Sequence, residues 1–105
     1  MSLRHEKIAA ALRETAAEFM AREANRQSLI TVTGASISED GKRANIFMTV
    51  FPDTAEEAAV QFASRNRREF AEFFKTRVRG VFPPHIEFMI DRGEKNRQRL
   101  DELST

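Results

Sequence analysis

The chain has no cysteine, no tryptophan and no tyrosine, and only four glycines and three prolines in 105 residues. Without cysteine there can be no disulfide and no thiolate metal site. Gly34, Gly41, Gly80 and Gly93 are too widely spaced to build a Gly-x-x-Gly loop or a glycine-rich phosphate cradle. No segment approaches the roughly 20 apolar residues of a membrane helix. The opening MSLRHEKIAAALRET lacks the continuous apolar stretch of a signal peptide. The expectation is a soluble, cytoplasmic protein. Charge has no marked excess of either sign, with 17 basic against 16 acidic residues and a formal net charge of +1. Net charge is therefore silent about nucleic acid, and the distribution of charge has to decide.

What is present suffices for one domain and one core. Hydrophobic residues make up 41% of the sequence, and all the aromatic surface sits in nine phenylalanines. A chain this short buries about 65% of its unfolded surface. Burying one Phe is worth about 1.5–3 kcal/mol, so most of the nine should be core.

Ile8, Leu12, Thr15 and Phe19 recur at helical spacing in a first helix of about Leu3 to Asn25, with Ser2 placed to cap it. Leu29 to Ser38 alternates as a strand, with Ile30 and Val32 facing one way, but Ala35 and Ile37 fall on the opposite parity. A bulge at Gly34 would restore the inward face, since one extra residue shifts the register by one. Asp40-Gly41 predicts a hairpin turn. Arg43 to Phe51 is the returning strand, with Ala44, Ile46, Met48 and Val50 on one face and Asn45, Phe47, Thr49 and Phe51 on the other. Asp53 and Glu56 have the spacing of a capping box at the start of a long helix ending near Arg79, where Gly80 suits a left-handed residue. His85 to Asp91 alternates again, with Ile86, Phe88 and Ile90 inward. A charged tail follows, with Leu100 and Leu103 as a weak helical anchor.

The long helix carries the functional clue. At about 100° per residue, Ala59, Phe62, Ala63, Asn66, Phe70, Phe73, Phe74 and Val81 share one stripe, with Arg68, Lys75 and Arg79 nearly opposite. Asn66 is the polar exception on the apolar stripe and marks a candidate kink. Arg65, Arg67, Arg68, Lys75, Arg77 and Arg79 put six cations into fifteen residues, against Glu69 and Glu72. Such a surface can neutralise phosphates and release counterions, which gives salt-dependent RNA binding. Arg22 and Arg26 are secondary candidates. The plainer alternative is a solvated face with helical pairs at Arg68–Glu72 and Glu72–Lys75.

Two other function classes remain. His85 and Glu87 share a strand face, but no nucleophile, metal constellation or phosphate loop accompanies them, so no enzyme is expected. A protein-interaction module could dock through the open sheet face, where Phe47, Phe51 and Met89 lie, or through the edge strands.

The element order predicts an α+β domain with a mixed three-stranded sheet, ordered 1-2-3, and the helices on one face. This layout matches the type II KH fold, and three stretches resemble the ribosome-binding factor A family. They are Leu29–Gly34 with Ile37–Ala44, then Phe74–Arg79 with Pro84–Phe88, and Asp91 with Leu100–Leu103. The resemblance implies a non-enzymatic, cytoplasmic maturation factor of the bacterial small (30S) ribosomal subunit. Such a factor contacts 16S rRNA during late folding or 5′-end processing, notably in the cold. It implies no cofactor, metal, membrane or small-molecule substrate, and nothing calls for more than a monomer. Members of that family carry an Ala-x-Gly kink between two helices, where this sequence reads Arg65-Asn66-Arg67-Arg68.

Overall fold

A computed structural model describes residues 3–23 and 29–93. The expected Ser2 cap, Arg26 and the Leu100–Leu103 anchor lie outside the described residues. Helix α1 (Leu3–Glu23) is amphipathic by spacing: Leu12, Thr15, Ala16, Phe19 and Met20 are buried, while Arg13, Glu14, Glu18 and Arg22 face water. Strands β1 (Leu29–Ile37) and β2 (Arg43–Phe51) pair antiparallel, and β3 (His85–Ile90) joins β2 in parallel. The sheet order is β1-β2-β3, with the helices contacting its inner face. This is the α+β, type II KH-like arrangement that the sequence pattern predicts.

The hairpin register explains the parity switch. Leu29 to Val32 pair with Phe51 to Met48, after which Gly34 pairs with Phe47 and the offset changes by one. The extra residue is therefore Thr33, not Gly34 as expected. Gly34 keeps an ordinary negative φ, and a Cβ added there would meet nothing within 4 Å. Thr33 has the interaction that fixes the bulge: its Oγ1 donates to Asp91 Oδ2 at 2.6 Å, just past the end of β3. In the turn, Gly41 takes a φ of 75°, and the Asp40 carboxylate accepts from Ser38 Oγ (2.6 Å) and the Lys42 amide (3.0 Å). These two donors, the Ser38 hydroxyl first, hold the Asp40 carboxyl below its ordinary value.

Between β2 and β3 the expected long helix, with its candidate kink at Asn66, is three pieces: a 3-10 turn (Asp53–Ala55), α2 (Glu56–Arg65) and α3 (Arg67–Arg77). Asp53 lies inside the 3-10 turn, which Ala55 N closes on Pro52 O at 2.9 Å. Neither Pro52 nor Ala55 contributes a side-chain cap hydrogen bond. At the other end α3 stops two residues early. Val78 turns extended (φ −128°, ψ 105°), so Arg79 and Val81 are off the helix, and Gly80 supplies the positive φ (78°) within the following turn.

The core lies between the helices and the inner face of the sheet. Phe70, fully buried, is its hub, edge-on to Phe19 at 5.5 Å and to Phe88 at 5.7 Å. Of the nine Phe, Phe19, Phe70, Phe74 and Phe88 are buried and Phe47, Phe62 and Phe73 half-buried. Only Phe51 and Phe82 stand in solvent, which makes those two the ones in need of explanation.

Candidate nucleic-acid interface

The α2–α3 break is made by Asn66. Its backbone leaves the helical region (φ −98°, ψ 14°), and its amide N–H is shared between the carbonyls of Phe62 and Ala63, both at 3.2 Å. The side-chain Nδ2 then donates to Phe62 O at 2.8 Å, so that one carbonyl takes both donors. On the far side Phe70 N bonds Asn66 O at 2.9 Å and α3 begins. A side-chain amide reaching back to its own backbone competes with helix continuation, which is why Asn interrupts where Ala would not.

The break exposes the arginines around it. Arg65, Arg67 and Arg68, with Ser64, Pro84 and His85, border an open groove of about 660 Å3 between the break and the start of β3. Glu69 also lines it. Arg67 is held across the groove: Nη1 donates to Glu87 Oε1 at 3.2 Å and to Ile86 O at 3.5 Å, while His85 Nε2 lies 3.0 Å from the same Glu87 oxygen. Arg65 and Arg68 are exposed and have no partner among the described residues. The expected Arg68–Glu72 pair is not formed, because Glu72 is taken by Lys75 at 3.3 Å. The start of a helix carries partial positive charge and prefers acids. Here Arg67 and Arg68 stand beside Glu69 in the first turn of α3, two cations to one acid, which leaves a net positive site suited to an anion.

The remaining cations are elsewhere. Arg77 turns to α1, where Nε and Nη2 both reach the Glu18 carboxylate, the shorter contact being 2.8 Å, and its guanidinium lies 4.5 Å from the Phe73 ring centre. Arg22 also lies over that ring, at 5.4 Å. The Arg77 hydrogen bonds hold the Glu18 carboxyl below its usual range, and Glu18 in turn raises Arg77. Lys75 points towards Phe82, 6.0 Å from its ring centre, and Arg79 is exposed in the turn. The six cations of the sequence thus divide into a groove cluster (Arg65, Arg67, Arg68), an α1–α3 seam (Arg77, joined by Arg22) and a turn cluster (Lys75, Arg79). No local pattern signals the Arg77–Glu18 contact, which joins residues 59 apart. Among the described residues, no group of three His, Asp or Glu could hold a metal ion. No described helix is long and apolar enough to cross a membrane.

A family model described as ribosome-binding factor A matches residues 4–104. Ribosome-binding factor A of Trichlorobacter lovleyi is 32% identical over 107 residues, covering 95% of this chain and 84% of the relative. The crystal structure of ribosome-binding factor A from Thermus thermophilus superposes with a TM-score of 0.73 at 27% identity, over 84% of this chain and 97% of that one. A homology model of the Thermus thermophilus protein, fitted into a cryo-EM map of a 30S complex, gives a TM-score of 0.69 at 28% identity. That likeness covers 80% of this chain and 91% of the other.

Proposed function

Because the chain belongs to the ribosome-binding factor A family, we propose that it binds the small ribosomal subunit through 16S rRNA during late maturation or 5′-end processing. The family match over residues 4–104 carries this reading. The geometry of the arginine groove supports a mode of contact. Arg65 and Arg68 are exposed beside the α2–α3 break and face an open groove, so they can neutralise phosphates without first breaking an internal pair. Arg67, braced by Glu87, positions the wall of the groove. The protein acts stoichiometrically, as a cytoplasmic monomer without catalysis, by biasing a folding step of the rRNA, with most effect in the cold. Contacts to shape and backbone rather than base readout fit such a groove.

Co-sedimentation with purified small subunits, large subunits and whole ribosomes across a salt series tests this. Selective small-subunit binding should weaken steeply with salt, and Arg68→Glu should flatten the log–log slope by about one phosphate contact. No binding to any particle at low salt would overturn the reading. A second reading, docking to a protein through the open sheet face, has one observation in its favour. Leu29 and Phe51 face each other across β1 and β2 and are 66% and 74% exposed. Subunit binding that ignores salt would favour it.

A further inference from the structure

The function proposed above uses the groove and leaves Phe82 unexplained. Phe82 is 88% exposed, more than any other large hydrophobic side chain among the described residues. Pro83-Pro84 follow it directly, and a residue before proline is restricted to extended backbone, so the segment that presents the ring is constrained on that side. Two cations lie on the same side of the fold. Lys75 Nζ is 6.0 Å from the ring centre, and the exposed Arg79 lies in the same turn without a partner among the described residues. Beside the ring is a cleft of about 250 Å3, bounded by Arg4, His5, Gly41, Phe82 and Pro84. Asp40 also lines it, but its Oδ1 already accepts from Ser38 and Lys42. Pro84 borders both this cleft and the arginine groove, so the two adjoin.

Resting on the RNA-binding reading and deepening it, we propose that Phe82 and its cleft seat one unpaired base of the RNA whose phosphates lie in the arginine groove. An exposed aromatic ring offers a face on which any base can stack, and flanking cations can hold the phosphate of that nucleotide. A base inside a duplex is already stacked, so the occupant is an unpaired one. A protein partner fits less well, since an apolar side chain docking on Phe82 would have to strip water from the charged Lys75–Glu72 pair beside it.

The chain has no tryptophan, so Phe82→Trp makes a single-tryptophan reporter at the seat itself. Emission should be quenched by a short single-stranded RNA and not by a duplex of the same length. Phe82→Ala should bind the single strand about ten-fold more weakly, with an unchanged salt slope, whereas Arg68→Glu lowers that slope. Because the ring is exposed, Phe82→Ala leaves the core intact. If Phe82→Ala binds like the parent with normal salt dependence, the base seat is overturned and the groove stands. If Phe82→Ala keeps its RNA affinity but no longer sediments with subunits, Phe82 is a protein contact and the base seat is likewise overturned. If the parent binds neither RNA nor particle, both readings fail together.

Discussion

Arg77 and Arg68 are the same residue type on the same helix, and their surroundings give them opposite uses. Arg77 meets Glu18 and the face of Phe73, so its charge and its plane are both engaged. Arg68 meets nothing among the described residues and is free for a ligand. Counting cations along the chain could not separate them, because the acid that claims Arg77 is on α1. The Lys75–Glu72 pair, three residues apart, was legible because helix geometry alone brings it together. The Glu18 contact gives a signed pH prediction. Glu18 titrates below its ordinary value of 4.5 in the folded protein, chiefly through the Arg77 hydrogen bonds. Its contribution to stability is therefore fully present above that value and is lost as pH falls through the lower, folded one. Arg77→Ala should return Glu18 to an ordinary carboxylate titration, read by NMR of its side-chain carboxyl. An unmoved titration would show that Arg77 is not the cause.

The α2–α3 break shows what a pattern of elements reveals and what it hides. A polar residue on an apolar stripe pointed to Asn66, and the two helices meet there. Strand faces were legible from period-two alternation, and the parity switch in β1 required one extra residue. Which residue it was depended on Thr33 finding Asp91 across the sheet, a contact that local spacing cannot see. The early end of α3 was hidden for a related reason: Val78 is apolar and in phase, yet it turns extended to lead into Gly80. Asn66→Ala tests the break. It removes the Nδ2 bond to Phe62 O and should cost about 0.5–1.5 kcal/mol, seen as a lower denaturant midpoint with unchanged slope. Alanine also favours helix continuation, so RNA affinity should fall with the re-aimed arginines. A midpoint equal to the parent's would mean that the amide does not hold the break.

For the molecule as a whole, the layout assigns separate tasks to its surfaces. The inner face of the sheet and the helices bury the core, the break and the start of β3 form the arginine groove, and the turn beyond α3 presents Phe82. The fold was legible at this scale because hairpin, crossover and handedness leave few alternatives. The site was legible as a basic region but not as a groove, since its second wall comes from β3.

The middle strand has neighbours of unequal history. β1 reaches β2 through one tight turn, whereas β3 arrives only after the whole stretch from Pro52 to Pro84 has been laid down and folded back. Distant closures are assembled late, because their entropy is lost before their contacts form. The β2–β3 seam, bonded at its ends by His85 N to Lys42 O and Asp91 N to Met48 O, should then be the first to open in the native protein. Amide exchange should proceed through smaller openings in β3 than in the β1–β2 hairpin, and the reverse order would refute this. Since β3 is also one bank of the groove, RNA lying between it and the break would act as a staple across the weakest seam. Bound protein should accordingly be stiffer there than free protein.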